Sequence, residues 1–316
     1  MTNTPKHHHY CPRKYLTYFL EKGSFKLTVY DKLRGSHFTA GPEDVGKEGN
    51  LYTVHLATGR SMRVETDFFG PIDHKGHSML ETLSTTEDLR KVDGQAFVSY
   101  VSALYVRTPT SLSATTAHFA PVFQEIARRA ERAKKLDLKD IPAELIPELI
   151  PRLRPSKAFV IKSMLENWKT VGRELWNYNW RLVKADSGQY VTCDTPVFLT
   201  DKLELVEYSL GLRSPGVIVV WPVSKRLLVI GSPIPDTDLY DGLSPVVCND
   251  LIIKASSRFV YAPHYDPAQQ HLIARYKQTG LKLEVSRIEM PTGGLLLVPY
   301  TRRYLNRPAP TPPKCS

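Results

Sequence analysis

Gln189-Tyr190-Val191-Thr192-Cys193-Asp194-Thr195-Pro196-Val197 is the stretch around which we expect the chain to fold. A short run of β-forming residues ends there in the carboxylate of Asp194, and Pro196 stiffens the chain just beyond it. A carboxylate held at the end of a strand can bind a divalent cation or orient an imidazole. The structural alternative is an Asx-turn, in which the side chain of Asp194 caps its own backbone.

Three consecutive histidines, His7, His8 and His9, lie near the start of the chain and are followed by Pro12. In an extended segment alternate side chains share a side, so two of the three imidazoles could converge on one point. Imidazole serves as a general base, a proton donor or a metal ligand near neutral pH. The alternative is a solvated tail. Three apolar residues that follow Pro12 disfavour this alternative, because they would anchor the segment to the core: Tyr15, Leu16 and Phe19.

Other charged residues complete the predicted site. Arg107, at a helix end before Thr108-Pro109, could bind a phosphate or carboxylate with two hydrogen bonds, or could make only a surface salt bridge. Lys32 could stabilise the charge of a phosphoryl group, and Glu81 could join His9 and Asp194 as ligands of a divalent metal cofactor. The basic face of a helix supplies predicted substrate contacts, although such a face is usually just solvated: Arg128 and Arg132.

Composition points to an anionic partner. The chain has 316 residues, with 42 Lys and Arg against 32 Asp and Glu, a net charge of +10 and an isoelectric point near 9.3. This balance makes nucleic acid the first candidate partner. There is no P-loop, no G-x-G-x-x-G after a strand, no G-x-S-x-G and no H-E-x-x-H, which disfavours ATP hydrolysis, dinucleotide chemistry and serine hydrolysis.

Several features predict a cytoplasmic protein. No apolar run approaches the ~20 residues that a membrane-spanning helix needs, so we expect no membrane partner. The N-terminal residues include Pro5 and histidines where an export signal would have a continuous apolar segment. The four cysteines, at positions 11, 193, 248 and 315, lack metal-type spacing and are expected to be free thiols.

Hydrophobic periodicity predicts the secondary structure. A short helix is expected within residues 5–22, and strands at 25–30, 51–56 and 61–69 form a small N-terminal antiparallel sheet. A capping box of Ser84 and Glu87 predicts a helix that ends near Arg107, Pro121 opens a second helix to residue 136, and a third spans 156–171 and stops at Gly172. A hairpin joins 178–185 to 189–193 across Ser187-Gly188. Further strands are predicted at 217–221, 226–230, 251–254, 258–261, 281–288 and 295–300, with a helix from Asp266-Pro267 to Gly280.

The predicted fold class is therefore α+β, with a small N-terminal antiparallel sheet, central helices and a C-terminal antiparallel sheet. Residues 1–306 are expected to form a single domain with a weak subdivision near 141–156, where four prolines prevent a long helix. Residues 307–316 form a proline-rich tail that we expect to be disordered.

Several of these motifs, in this order, resemble a mostly bacterial family of unknown function, DUF4238. The resemblance spans most of residues 6–265 and rests on the following segments: His8-His9-Tyr10-Cys11-Pro12, Tyr15-Leu16-x-x-Phe19, Tyr30-Asp31-Lys32, Glu48 to Tyr52, Arg107-Thr108-Pro109, Thr192-Cys193-Asp194-Thr195-Pro196-Val197, and Asn249 before Arg258. This chain has Cys193 where the family usually has Ser and Thr195 where it usually has Asn. The resemblance implies no activity, but it implies that His8, His9, Arg107 and Asp194 belong together.

Two functions are expected from these residues. The first is a hydrolase that acts on a phosphodiester or another anionic substrate, such as a nuclease-type effector, with His8, His9, Asp194 and Arg107 as catalytic residues. The second is a non-enzymatic module that binds nucleic acid or a protein, in which the same residues form a structural polar network.

Overall fold

Helices and antiparallel strands alternate along the chain, and the predicted α+β fold class is confirmed. The structure is a computed structural model, and it describes residues 7–56, 59–132, 145–201, 211–214, 216–235, 243–277, 281–289 and 295–303. Within these ranges no helix is both long and apolar enough to cross a membrane.

One four-stranded sheet joins the two ends of the chain. Its strands, in the order β3-β2-β12-β8, are β2 (Leu27–Asp31), β3 (Ser36–Ala40), β8 (Thr192–Cys193) and β12 (Phe259–Ala262). Val260 of β12 lies opposite Tyr30 on one side and opposite Cys193 on the other. The N-terminal hairpin β2–β3 therefore completes a sheet whose other strands come from the second half of the chain.

A second four-stranded sheet forms the centre of the core. Its strands, in the order β7-β11-β10-β9, are β7 (Asn179–Lys184), β9 (Phe198–Asp201), β10 (Val217–Pro222) and β11 (Leu227–Ser232). Side chains on β10 alternate between two hydrophobic clusters: Val219 and Trp221 lie in one, and Ile218 and Val220 lie in the other. Both faces of this strand are covered, which explains why it is apolar at every position.

Helices cover both faces of this sheet. Their bounds are α1 (Arg13–Thr17), α2 (Gly70–Thr86), α3 (Gly94–Val106), α4 (Pro109–Arg132), α5 (Ile146–Leu149), α6 (Lys157–Trp176), α7 (Pro245–Ala255) and α8 (Pro267–Arg275). A π-helix (Val64–Phe69) leads into α2, and 3-10 turns occupy Leu89–Lys91 and Ile150–Arg152. The remaining strands pair two by two: β1 (His7–His9) with β4 (Lys47–Gly49), β5 (Val54–Leu56) with β6 (Gly59–Ser61), and β13 (Leu281–Glu289) with β14 (Leu295–Arg303).

The segment before α3 differs from its prediction. The strand expected at 61–69 is instead the end of β6 followed by the π-helix. Ser84 lies inside α2, and Glu87 is its left-handed C-cap with φ of 48°, so the predicted capping box is wrong. The helix that ends at Arg107, as predicted, begins instead at Gly94, where the carboxylate of Asp93 accepts the backbone N–H of Ala96.

Two predicted helix boundaries fail because packing overrides local preference. Pro121 lies within α4, which runs on from Pro109 to Arg132, instead of opening a new helix. Gly172 does not end α6, which continues to Trp176. Gly172 faces α3, where an added Cβ would lie 3.5 Å from Ser102 Oγ in ordinary contact.

Two predicted β elements are also wrong. The strand expected at 251–254 belongs to α7, whose apolar residues are buried on most sides and so lack a helical polar face. The hairpin expected across Ser187-Gly188 does not form, because β7 pairs with β11 and β8 pairs with β12 in the other sheet. The predicted strands at 217–221, 226–230, 258–261, 281–288 and 295–300 are confirmed. The helix after Asp266 is also present but ends at Arg275, and its predicted end at Gly280 lies outside the described residues.

The predicted single domain, its weak subdivision and its disordered tail stay predictions. Residues 145–156 of the predicted subdivision contain short helical turns, as expected from their prolines, while residues 141–144 lie outside the described residues. The tail at 307–316 also lies outside the described residues.

Helices α2 and α3 approach each other closely at Gly76. A Cβ atom at Gly76 would lie 2.0 Å from Cδ2 of Tyr100 on α3, and Tyr100 is almost fully buried. Tyr100 in turn lies against the ring of Trp221, with 5.9 Å between the ring centroids. The ring therefore has no room to move away from a larger side chain at position 76.

We expect Gly76→Ala to destabilise the protein by about 1–3 kcal/mol, because overpacking outweighs the better helix propensity of alanine. Gly94→Ala is the matched control, since a Cβ there would lie 3.8 Å from Trp176 in ordinary contact. Chemical denaturation of both variants measures the difference. Equal free energies of unfolding for the two variants would contradict the close packing of α2 on α3.

Candidate functional site

Strand β1 fixes the histidines onto the body of the protein. His7 is exposed, His8 is fully buried and His9 is half-buried, so the triplet alternates as extended residues do. Nδ1 of His8 accepts the backbone N–H of Tyr52 at 2.8 Å, and the two rings stack with 5.5 Å between their centroids. His8 is therefore a packed residue whose burial lowers its pKa, and residues 7–9 are not a solvated tail.

His9 presents one free ring nitrogen to the interior. Burial lowers the pKa of His9, a hydrogen bond to the backbone of Glu43 opposes this shift, and Lys47 and Arg107 lower the pKa further. Nε2 of His9 is buried and has no partner among the described residues. We infer that Nδ1 donates its proton to the carbonyl of Glu43, which leaves Nε2 as an unprotonated acceptor at neutral pH.

Arg107 is the C-cap of α3, and its side chain is fully buried. Its Nη1 donates to both oxygens of Asp73 on α2, at 2.8 and 3.1 Å. Phe69 and Tyr100 flank the guanidinium, with 5.3 and 6.0 Å from Cζ to the ring centroids. Burial lowers the pKa of Arg107, but Asp73, Tyr100 and Tyr52 together raise it more, so the group stays charged.

The other edge of this guanidinium is unpaired. Nε and Nη2 of Arg107 are buried, and neither has a hydrogen-bond partner in the described part of the chain. These two atoms form the edge that binds two oxygens of one carboxylate or phosphate. Buried donors without a partner are rare in folded proteins, so this edge calls for a ligand.

Glu65 lies in the π-helix next to Arg107. Burial raises the pKa of Glu65 to about 7, Arg107 lowers it, Asp73 raises it, and a backbone hydrogen bond from His9 lowers it. Its Oε2 atom is buried without a partner among the described residues. A π-helix shifts the side chains that follow it relative to an α-helix and often occurs at functional sites. We call His9, Glu65, Asp73 and Arg107 the guanidinium site.

Tyr52 connects the two predicted motifs that meet at this site. Its backbone N–H binds His8, and its hydroxyl donates to the carbonyl oxygen of Arg107 at 2.5 Å. The Tyr52 ring also lies 5.0 Å from that of Phe69 between centroids. The predicted association of His8 and His9 with Arg107 therefore has a structural basis in one buried tyrosine.

The carboxylate of Asp194 accepts hydrogen bonds from three backbone N–H groups. Oδ1 accepts the backbone N–H of Ser257 at 2.8 Å, and Oδ2 accepts those of Arg258 and Phe259 at 2.7 and 3.0 Å. Burial raises the pKa of Asp194, and the three backbone hydrogen bonds lower it. These contacts favour the structural alternative for Asp194, as a cap of the turn before β12.

Lys32 is likewise engaged with the backbone. Its ammonium donates to the carbonyl oxygens of Ile253 at 2.7 Å and Ser256 at 2.8 Å, at the C-terminal end of α7. A cation is stabilised there by the unpaired carbonyl groups and the helix dipole. The ammonium is fully buried, so a role in binding substrate would require it to leave these carbonyls.

The N-terminal segment nevertheless meets the stretch around Asp194. The thiol of Cys11 donates to the carbonyl oxygen of Cys193 at 3.4 Å. The Tyr15 hydroxyl donates to the carbonyl of Pro222 at 2.6 Å and lies 2.7 Å from Thr192 Oγ1. The expected meeting of the two chain ends is thus present, through Cys11 and Tyr15.

The remaining predicted residues lie on exposed helix faces. Glu81 is exposed and lies about 12 Å along α2 from Asp73, two turns away. Arg128 is paired with Glu125 at 3.5 Å, and Arg132 is exposed at the end of α4. Within the described ranges no three His, Cys, Asp or Glu side chains are close enough to hold a metal ion, so the predicted ligands His9, Asp194 and Glu81 do not come together.

Sequence analysis missed Glu65 and Asp73. Residues 61–69 were expected to be a strand, in which Glu65 carries no special meaning, and α2 was not predicted. One signal was present: a buried arginine needs a carboxylate partner, and Asp73 follows the aromatic pair Phe68-Phe69 by one helical turn.

A model of one protein family matches residues 7–264, which is more than half of the chain; the family is described as protein of unknown function, DUF4238. The chain belongs to the DUF4238 family. No curated protein and no solved structure matches this DUF4238 protein. The matched range contains β1, the guanidinium site and β12, so the site lies within the family domain.

We expect Asp194→Ala to destabilise this DUF4238 protein by about 3 kcal/mol or more, because it leaves three backbone N–H groups without their acceptor. Asp186→Ala is the control, since Asp186 is exposed. Thermal and urea unfolding measure both. A loss below about 0.5 kcal/mol for Asp194→Ala would contradict its role as a cap.

Glu65 should make stability fall as pH rises. Its folded-state pKa of about 7 is above the ordinary value of 4.5, so the folded state holds more protons than the unfolded state between these values. The stabilisation is complete below about pH 4.5 and lost as pH rises through about 7, on the order of 2–3 kcal/mol. Urea unfolding of the wild type and of Glu65→Gln from pH 5 to pH 8 measures it: the variant should gain on the wild type as pH rises. Parallel curves would show that Glu65 is not protonated in the folded state.

Proposed function

We propose that this protein hydrolyses phosphodiesters at the guanidinium site. The observation that carries the proposal is the unpaired Nε–Nη2 edge of a buried Arg107, beside an imidazole with a free nitrogen and a carboxyl group with a pKa of about 7. An oxyanion bound by Arg107 would lie next to a base and an acid. Asp73 holds the guanidinium in place from its opposite side.

His9 is the proposed general base. Nε2 takes a proton from a water molecule, whose oxygen forms a bond to phosphorus. The carbonyl of Glu43 holds the ring in the tautomer that has a free Nε2, and burial keeps the imidazole neutral. His8 supports this arrangement through β1 and does not contact the reacting atoms in the proposal.

Glu65 is the proposed general acid. The bond between phosphorus and the leaving oxygen breaks as the carboxyl group of Glu65 gives its proton to that oxygen. Arg107 stabilises the negative charge that accumulates on the non-bridging oxygens of phosphorus. Proton exchange with solvent then returns His9 to its neutral state and Glu65 to its protonated state.

The second candidate is a non-enzymatic binding module. It is supported by the contacts of Asp194 and Lys32, whose polar atoms bind the backbone and act as structural ties. Under this alternative the guanidinium site is also structural. Nucleic acid is the proposed partner, on the basis of the net charge of +10, and its binding would weaken steeply with salt.

Hydrolysis of bis(p-nitrophenyl) phosphate tests the proposal. We expect His9→Gln to lower kcat by about 10²–10⁴-fold, the usual contribution of a positioned base. Glu65→Gln should change this rate little, because p-nitrophenolate leaves as an anion, but should lower cleavage of RNA and DNA by about 10²–10⁴-fold, because their leaving oxygen must be protonated. His7→Gln is the control, because His7 is exposed on the same strand. The rate should rise with pH through the lowered pKa of His9. With RNA or DNA it should also fall above about pH 7, where Glu65 loses its proton.

RNA and DNA cleavage at several salt concentrations extends this test to natural diesters. Full activity of His9→Gln on every diester would contradict the proposal. If the variants lose stability and the wild type hydrolyses no diester measurably, the result favours the binding module.

A further inference from the structure

The charges around Arg107 limit what its free edge can bind. Nη1 lies 2.8 Å from Oδ1 of Asp73, so one full negative charge already lies against this guanidinium. His9 and Glu65 are uncharged in the proposed working state. Lys47, whose charge lowers the pKa of His9, forms an ion pair with Asp44 at 3.7 Å. The site therefore offers hydrogen-bond donors to an incoming oxyanion but little surplus positive charge.

The donors that remain match one pair of oxygens. Nε and Nη2 lie on one edge of a planar group, and both are buried. A phosphodiester has two non-bridging oxygens that share one negative charge. A phosphomonoester has a second pKa near 6, so above about pH 7 it carries close to two negative charges. The second charge would be repelled by Asp73, since like charges this close disfavour one another.

The surroundings of the guanidinium limit the size of the ligand. Arg107 is fully buried between Phe69 and Tyr100, while the Asp73 side chain is 30% exposed. His9 and Glu65 are also partly exposed, but the atoms that they present to the guanidinium site, Nε2 and Oε2, are buried. A diester with small or cyclic ester groups can place its phosphorus oxygens at this edge more readily than a diester within a duplex.

We infer that the guanidinium site selects singly charged, low-molecular-weight phosphodiesters over phosphomonoesters. Two oxygens of the diester accept hydrogen bonds from Nε and Nη2 of Arg107, and Asp73 acts as the element that rejects a second charge. The inference rests on the proposed function, because it names the substrate class of the same site. It also makes a claim about binding that can be tested without any reaction.

Isothermal titration with three small ligands tests the selection by charge. Diethyl phosphate and ethyl sulfate each carry one negative charge at every pH of interest, and ethyl phosphate gains its second charge near pH 6. At about pH 8 the ionised carboxylate of Glu65 weakens the binding of every anion, but we still expect both singly charged ligands to bind at least about tenfold more tightly than ethyl phosphate. At about pH 5, where ethyl phosphate is also singly charged, the difference from ethyl sulfate should largely disappear.

Variants assign the binding to Arg107. We expect Arg107→Lys, which keeps the charge but removes the paired donors, to weaken binding of diethyl phosphate at least about tenfold. Arg173→Ala is the control, because Arg173 is exposed on α6, and it should bind as the wild type does. Circular dichroism checks the fold of each variant. If Arg107→Lys does not fold, the comparison of the three ligands on the wild type decides by itself.

The outcomes separate this inference from the proposed function. Preference for the singly charged ligands without hydrolysis of bis(p-nitrophenyl) phosphate would sustain the inference about binding and refute the proposed reaction. Equal or tighter binding of ethyl phosphate at about pH 8, or no binding of any of the three ligands, would overturn the inference. Comparable kcat/KM values for p-nitrophenyl phosphate and bis(p-nitrophenyl) phosphate would also overturn the inference about selection. The proposed hydrolytic function would still hold in that case.

Discussion

The ion pair between Arg107 and Asp73 is the contact on which the site depends. A guanidinium with no exposed surface must be compensated, since removing one partner of a buried pair typically costs about 3–5 kcal/mol. The carboxylate comes from α2 and the guanidinium from the end of α3, so the pair also fixes how these helices lie against each other. The close contact between Gly76 and Tyr100 constrains the positions of the same two helices sterically.

Aromatic side chains cover the guanidinium of this pair, while Asp73 stays partly exposed. Tyr52, Phe69 and Tyr100 lie against the guanidinium or its backbone, and Tyr100 leads on to Trp221 in the central sheet. A low local dielectric strengthens both the ion pair and the cost of leaving Nε and Nη2 without acceptors. The same surroundings explain the raised pKa of Glu65 and the lowered pKa of His9.

Local patterns predicted those parts of the fold that local chemistry decides. The strands at β10 and β11 follow from continuous apolar runs, and the helix after Asp266 follows from its cap. By contrast, α7 is apolar on most sides because it is buried, so its helical period is weak and it was expected to be a strand. The sequence also did not predict that β7 and β8 belong to different sheets, since the choice of a partner strand depends on residues far away in the sequence.

Half of the candidate site was predictable from sequence. His9 and Arg107 stand out by residue type and position, and the structure brings them together. Glu65 and Asp73 do not, because a carboxylate in a helix is ordinary until its burial and its neighbours are known. Asp194, which the sequence makes prominent, has a satisfied carboxylate at the turn before β12, and its role in any reaction stays a prediction.

The pairing of β2 with β12 has a consequence for how the protein is made. Tyr30 lies opposite Val260, so the N-terminal hairpin cannot complete its sheet until most of the chain has been synthesised. At about 5–20 residues per second, the first strand waits roughly 10–50 s for its partner. During that interval one edge of the hairpin has unpaired backbone groups, which is the condition under which nascent chains aggregate or bind chaperones. Slow translation of the segment between β2 and β12 should therefore lower the yield of folded protein.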